Sequence, residues 1–358
     1  MSTFIFRRIL LTIPVILGIL TLTFFLTRLI PGDPCTAIYG ERATPAICAN
    51  FENRYGLNLP LGQQYLAYMG RVLSGDLGDS IRFTRPVSAL LAERLPVTVE
   101  LAFTALIFAS VVGVPLGILS AYKRNTPYDY VTMIVANIGV SMPVFWLGLM
   151  LAYIFGVGLR DTPFALPPSG RLDAGTQVIP FFVQWGLAPD EASGNPLMIF
   201  ISRLYILNSI LTANFDLFWN ATRHLILPAA AVGTISMAII ARMTRSSVLE
   251  TLNQDYVRTA RAKGLREMGV VLRHAVRNAL LPVVTIIGLN FGLLISGAVL
   301  TETIFGLTGV GRTLYDGITS RDYPLVQGFT VAIAIAFVII NLGVDLLYGF
   351  LDPRIRLS

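Results

Sequence analysis

Few residues in this 358-residue chain are placed to do covalent or phosphate chemistry. The stretch "GLREMGV" carries the G-x-x-x-x-G spacing of a phosphate-binding loop at Gly264 and Gly269, but valines follow where Lys and Ser/Thr are required. Without the lysine that reaches the phosphates and the hydroxyl that meets Mg²⁺, the spacing cannot hydrolyse a nucleotide. His224 and His274 are the only histidines, and the apolar runs between them put them on opposite sides of a bilayer. No H-E-x-x-H or G-x-S-x-G occurs, so neither a zinc protease nor a serine hydrolase elbow can be assembled. Cys35 and Cys48 share one loop; a disulfide in an oxidising compartment and two free thiols both fit them. No catalytic grouping and no metal site can be named.

The elements that would position any function are apolar. Hydrophobic residues make up 54% of the chain and charged residues 13%, about half the charge of a soluble domain. That is a membrane-protein composition, and it overrides the two soluble domains that length alone suggests. The net charge of +6 comes from scattered loop residues with no aromatic-basic tract, which argues against nucleic acid as a partner.

A spanning helix needs about 20 apolar residues. Six runs qualify, at about 9–30, 97–122, 131–159, 225–241, 279–300 and 325–348, with Pro115, Pro143 and Pro228 inside or near their ends. The first is too long for a signal-peptide core and has no small-x-small cleavage site after it, so it reads as a retained span. Lysine and arginine in the flanks set orientation. Arg7, Arg8, Lys123, Arg124, Arg354 and Arg356 fall on one side of a six-span chain, joined by eight basic residues between Arg242 and Arg277. Both termini are therefore expected in the cytoplasm, with loops 31–96 and 160–223 facing outward. Tyr65, Tyr68, Met69 and Val72 predict an amphipathic helix over about 60–73. The 160–223 loop is rich in Pro, Gly and Asp and shows no periodicity.

The spans carry no built-in energy source. Proton- or sodium-driven carriers keep ionisable residues near mid-membrane, whereas the third, fourth and fifth runs have none that is acidic, and Glu100 and Asp345 are expected near span ends. Asn137, Ser141, Thr234, Ser236, Asn290, Ser296 and Asn341 are polar; interhelical hydrogen bonding and lining of a solute path are both open to them.

Between the fourth and fifth runs lies "DYVRTARAKGL", residues 255–265. Asn253 or Asp255 suits an N-cap, and Gly264 suits a left-handed stop. Tyr256, Ala260 and Gly264 share a face by their spacing of four, with Arg258, Arg261 and Lys263 around it. Met268, Val271, Leu272, Ala275 and Ala279 predict a second amphipathic helix entering the fifth run. A lipid-attracted basic loop and a docking element both fit; its length and its division by a glycine favour docking.

This arrangement resembles the cytoplasmic coupling loop of the type I permease subunits of ABC importers. "RTARAKG" matches that family's E-A-A-x-x-x-G at Ala260 and Gly264, with Arg258 and Thr259 in place of Glu and Ala. "LIPGDP", "GDLGDSI", "SMPVFWLG", "RNALLPVVTIIGLN", "TETIFGLTGVGR", "RDYPLVQG" and "VDLLYGFLDPRIR" look like the dipeptide and oligopeptide branch along the whole chain.

The resemblance implies an all-α, six-span fold in a bacterial inner membrane. It divides into a first span with its outward loop (1–95), a transmembrane domain (96–350) containing the coupling loop 242–278, and a tail (351–358). It implies a second permease subunit, two ATPase subunits that bind ATP and Mg²⁺, and an extracytoplasmic binding protein, with no cofactor on this chain. Asp255, Tyr256, Arg258, Thr259, Ala260, Arg261, Lys263 and Gly264 would form the coupling helix. Ser141, Asn290 and Ser296 are path candidates, and Glu302 and Arg312 candidates for touching the binding protein or each other. Dipeptides or short oligopeptides are the expected cargo. Nickel chelates, glutathione or short sugars are the alternatives within the class; a stand-alone channel, a secondary carrier and a membrane enzyme lie outside it.

Overall fold

Apolar run length sets which helices can cross a bilayer, and one proline, Pro143, marks where the third run breaks. The computed structural model describes residues 2–29, 32–296 and 298–351, and among these the regular structure is helical, with one isolated bridge between Asp79 and Pro86 and irregular stretches at 159–180 and 185–195. Arg354, Arg356 and the 352–358 tail lie outside the described residues, as do the side chains of Arg7, Arg8, Ser296 and Asp345.

Helix α1 (Ser2–Leu29) is followed by three short helices, α2 (Pro34–Tyr39), α3 (Pro45–Tyr55) and α4 (Leu61–Leu73). The expected helix over 60–73 is α4. Its Tyr68 packs with Leu20 and Phe24 of α1, and Tyr65 meets Thr21 through their hydroxyls at 2.7 Å. Asp33 caps α2, and a Cys35–Cys48 disulfide ties α2 to α3 over Phe51 and Ile81. Each sulfur holds the other, which removes both from metal ligation.

Helices α5 (Val87–Tyr122), α6 (Pro127–Ser141) and α7 (Val144–Tyr153) come next, α7 ending in a wider turn at Ile154–Gly158. The run expected as a straight third span is broken: α6 and α7 meet at 104°. Pro143 lacks an N–H and forces the residue before it out of the helical region, and Met142 is extended at φ −89°, ψ 130°. The 160–223 loop contains α8 (Phe181–Gln184), α9 (Pro196–Ser202) and α10 (Tyr205–Leu211), each too short to show a period in sequence.

The fourth run is the core of α11 (Phe215–Leu252), 38 residues rather than the 17 of its apolar stretch: Asn214 caps its start by accepting the Leu217 N–H, and the helix runs on through Arg242–Leu252. Then come α12 (Asp255–Ala262), α13 (Glu267–Gly269), a wide-turn stretch Val270–Val276 and α14 (Arg277–Ser296). The expected fifth span to residue 300 ends early; α15 (Val299–Ile304) and α16 (Val310–Thr319) precede the last span, α17 (Tyr323–Leu351). Among the described residues, five helices are long and apolar enough to cross a bilayer, and the bent α6–α7 pair makes a sixth.

The bundle is organised around α5 crossing α11. A Cβ on Gly113 would lie 2.7 Å from the Met237 carbonyl oxygen, and one on Gly117 2.5 Å from that of Ala241. From the other side, a Cβ on Gly233 would lie 2.7 Å from the Ala105 carbonyl oxygen. Ala102, Ala105 and Ala109 continue the small-residue stripe on α5, all buried. In lipid, helices gain little from burying apolar surface, so close approach of this kind supplies the attraction.

Because a Cβ on Gly117 would meet the Ala241 carbonyl oxygen and the β-branched Thr244, Gly117→Val is expected to separate the helices. A loss of about 1–3 kcal/mol or more should appear as a lower melting temperature and less monodisperse protein in detergent. Gly18→Ala on α1, where nothing lies within 4 Å, is the control and should melt like the parent.

Candidate functional site

Helix α12 is short, charged and polar on most of its surface, so it depends on what it touches. Gln254 stands at its N-cap in extended conformation without a side-chain cap, and Asp255 occupies the first turn instead of the cap position. Asp255 accepts a bond from Arg258 Nη1 at 3.3 Å, and its carbonyl accepts from Thr259 Oγ1 at 3.0 Å. The helix stops at Lys263, and Gly264 follows at φ +74°, a conformation that strains any residue with a Cβ.

The face shared by Tyr256, Ala260 and Gly264 is not a docking face throughout. Ala260 is 5% exposed and Val257 fully buried, both packed against Val270 with Leu252 alongside. They seat α12 on its own chain, so Ala260 is unavailable to a partner as the structure stands. Tyr256 is 42% exposed and its hydroxyl accepts from Asn278 Nδ2 at 2.9 Å, which ties α12 to the start of α14. Arg261 binds Glu267 through Nη2 at 2.7 Å and Nε at 3.1 Å, clamping the Gly264 turn.

What remains outward on this segment is a mixed surface. Arg258, Thr259, Lys263 and Arg266 are exposed, and so are Leu265 and Met268. The second amphipathic helix expected here is present in part: Val271, Ala275 and Ala279 are buried, whereas Met268 and Leu272 face out. Leu265 escaped the sequence reading, although a leucine beside a helix-stopping glycine is a usual apolar contact.

A second assembly joins this segment to the bundle. Asp129, at the start of α6, accepts Arg245 Nε on Oδ1 and Arg245 Nη2 on Oδ2, both at 2.9 Å. It also accepts the Ser120 hydroxyl of α5 and the Asn125 N–H at 3.0 Å. One carboxylate thus binds α5, α6 and the α11 extension together. Below it Ala121, Val248, Val271, Val276 and Ala279 form one apolar cluster, so the residues after α12 pack directly on α5 and α11. Sequence reading counted Arg245 only as a basic flank and passed over Asp129, since nothing in their spacing links residues 116 apart.

At the opposite end the expectations need correction. Glu302 is fully buried: it accepts the Thr98 hydroxyl at 2.6 Å and the Arg312 backbone N–H at 2.8 Å. It fills the N-terminal end of α16, where helix N–H groups lack partners, so it cannot touch a binding protein. Arg312 contributes that N–H, and its side chain is half-buried. Glu100, expected near a span end, is buried among protein groups, with Arg171 Nη2 at 2.6 Å and the Ile206 N–H at 2.7 Å, both from the 160–223 loop. Of the path candidates, Asn290 is buried and donates to the Ile286 carbonyl of its own helix at 2.8 Å. Ser141 is exposed at the α6–α7 bend, its hydroxyl 3.2 Å from the Asn137 carbonyl. His224 is buried near Asp173, 3.6 Å from its carboxylate, with no catalytic neighbour set around it among the described residues.

Residues 113–357 match the family described as binding-protein-dependent transport system inner membrane component, and residues 1–102 match its N-terminal family. A dipeptide transport system permease protein of Alkalihalophilus pseudofirmus is 45% identical over 99% of this chain and 100% of its own length. That of Escherichia coli K12 is 44% identical over 99% of both chains. An oligopeptide transport system permease protein of Bacillus subtilis is 37% identical over 99% of this chain and 100% of its own. A solved amino acid ABC transporter chain aligns with 75% of this chain and 95% of its own at 13% identity, with a TM-score of 0.45.

The Asp129 clasp generates a test. Asp129→Asn keeps the shape and removes the charge that Arg245 faces. Breaking a buried pair from one side costs about 3 kcal/mol, read as a lower melting temperature. Asp129→Leu combined with Arg245→Met should recover part of that loss.

Proposed function

The chain belongs to the binding-protein-dependent transport system inner membrane components, and we propose that it forms half of the gated path of an ATP-driven importer of dipeptides. The carrying observation is the 44–45% identity, end to end, to permease proteins whose names specify dipeptide transport. As such a permease, the chain is a non-catalytic membrane subunit that works with ATPase and binding-protein components. Peptide is favoured over nickel chelates, glutathione or sugars because the oligopeptide relative also names peptide cargo.

The finer parts of the proposal rest on geometry. Both termini and α12 lie in the cytoplasm, following the basic flanks. A second, related permease completes the path, and two ATPases sit beneath the pair. The outward surface of α12 and its turn, with Tyr256, Arg258, Thr259, Lys263, Gly264 and Leu265, rests in a groove of one ATPase. Arg258 and Lys263 meet acidic groups there, and Tyr256 and Leu265 supply apolar anchors.

Val257 and Ala260 hold α12 to the chain through Val270, and the adjoining apolar cluster carries its displacement to α5, α11 and α14. Closing of the ATPases on ATP therefore pushes on the bundle core and switches the path from inward-open to outward-open. No step requires bond chemistry on this chain; ATP and Mg²⁺ act on the partners.

Arg258→Glu with Lys263→Glu changes exposed charges only, so insertion should be normal. Uptake of labelled dialanine is expected to fall at least about tenfold, with loss of co-purifying ATPase, as for truncating charge pairs at a desolvated interface. Parent-like uptake together with parent-like co-purification would defeat the docking assignment. Ala260→Glu, in contrast, should reduce folded protein, because that side chain is already used within the chain.

A further inference from the structure

Residues 34–57 fold into a cap with very little core of its own. Helix α2 has six residues and α3 eleven, lengths at which a helix does not persist alone in water. From Pro34 to Leu57, only Pro34, Cys35 and Phe51 are buried. Phe51 packs with Ile81, and the Leu57 carbonyl accepts Gln64 Nε2 at 3.0 Å. A core this thin calls for a covalent tie. The Cys35–Cys48 disulfide supplies it across a sequence separation of 13, with the two Cα atoms 5.5 Å apart.

The cap rests on a segment that fixes the last span. Ile81 lies between Ser80, whose hydroxyl donates to Asp322 Oδ2 at 2.5 Å, and Arg82, whose backbone N–H donates to the same oxygen at 3.0 Å. Asp322 is fully buried, and its Oδ1 accepts the Leu325 N–H at 3.2 Å in the first turn of α17. Two further observations mark the sulfur bond as permanent rather than cycling. Cys35 has no exposed surface, so an outside thiol cannot reach its sulfur. The Asp33 carboxylate lies within 4.8 Å of both sulfurs, held there by the Cys35 and Thr36 N–H groups at 3.0 Å each. Thiol–disulfide exchange proceeds by attack of an anionic thiolate, which that carboxylate repels.

We infer that Cys35 and Cys48 are a thiol-oxidation site, closed once, outside the cytoplasm, by a protein disulfide oxidant that acts on the loop before the cap packs. One cysteine thiolate attacks a sulfur of the oxidant's disulfide and displaces one of its thiolates. The other cysteine thiolate then attacks the sulfur of the mixed disulfide and releases the second. This chain gives up two electrons and two protons, and the oxidant leaves as its dithiol. Oxidation precedes packing because Cys35 is out of reach once Phe51 is seated. Cytosolic thiols are kept reduced and disulfides persist in oxidising compartments, so the bond places the α2–α3 loop outside on grounds independent of the basic flanks. Closure of the bond then braces Ile81 and, through Ser80, Arg82 and Asp322, the start of α17.

The test begins in intact cells, where N-ethylmaleimide is added before lysis and the full-length chain is then unfolded, reduced and labelled with a heavy maleimide. Both cysteines are expected to take the heavy label only after reduction; blocking of either by N-ethylmaleimide would overturn the site. In a host lacking its extracytoplasmic disulfide oxidant, freshly made chain should keep both thiols free, and oxidation at the parent rate there would overturn the assigned co-reactant. Folded protein in nanodiscs should keep the bond in dithiothreitol until denaturant is added, whereas ready reduction would show a cycling centre instead. In the Cys35→Ala, Cys48→Ala double variant, amide exchange over 36–55 should quicken roughly a hundredfold, the order of the chain entropy that a cross-link of this size removes. Exchange in α5 and α11 should match the parent, so the readout does not depend on global stability; parent-like exchange over 36–55 would overturn the brace. Free thiols would leave the importer reading standing, and failed dipeptide uptake would leave the oxidation site standing.

Discussion

Everything in this fold depends on how closely α5 approaches α11. The two axes meet through Gly113, Gly117 and Gly233, at places where even one added carbon would touch a carbonyl oxygen. Water drives soluble helices together by releasing apolar surface, but lipid offers no such release, so contact distance matters more than hydrophobicity. Small residues at the crossing let whole backbones touch and gain dispersion over their full length. Pro115 sits between the two α5 glycines without breaking the helix, consistent with the tolerance of membrane helices for proline when neighbours cover the freed carbonyl.

That close pair gives α12 something to act on. An eight-residue helix with an unfilled N-cap is too short to persist alone. Its order comes from Val257 and Ala260 against Val270, from Tyr256 on Asn278, and from Arg261 on Glu267 across the turn. Each anchor lies on the segment that enters α14, and that segment packs on α5 and α11. A push on α12 therefore reaches the crossing through packed side chains, with no flexible linker between. The Asp129 clasp makes α6 move with them.

The legible parts of the sequence were those written in local pattern. Apolar run length placed the spans, Tyr65, Tyr68 and Val72 placed α4, and Gly264 placed the end of α12. The illegible parts were pairings between distant residues. Glu100 reads only as an acid near a span end, and local pattern does not show its partners Arg171 and the Ile206 N–H, 71 and 106 residues away. Glu302 looks like an exposed loop acid because its partner Thr98 lies 204 residues earlier. The spacing of Ala260 with Tyr256 and Gly264 defines a face without saying what covers it, and Val270 covers Ala260. The Gly113–Gly117 pair carried a readable four-residue signal of close packing and was passed over.

The placement of the buried charges bears on the proposal that a second permease completes the path. At one end Glu100 and Glu302 fasten the loop helices to α5; at the other Asp129 fastens α6 and α11 to it. Each of these carboxylates is matched by donors, and a matched buried charge resists separation because either partner left alone is costly. The chain is thus locked at both ends and packed by small residues in the middle. Its α6, by contrast, exposes Ile134, Asn137, Ile138 and Ser141 along one side, a mixed surface poorly suited to lipid alone. In the proposed pairing, a passage between two such bodies would need only their relative movement, which the rigid connections described above would transmit.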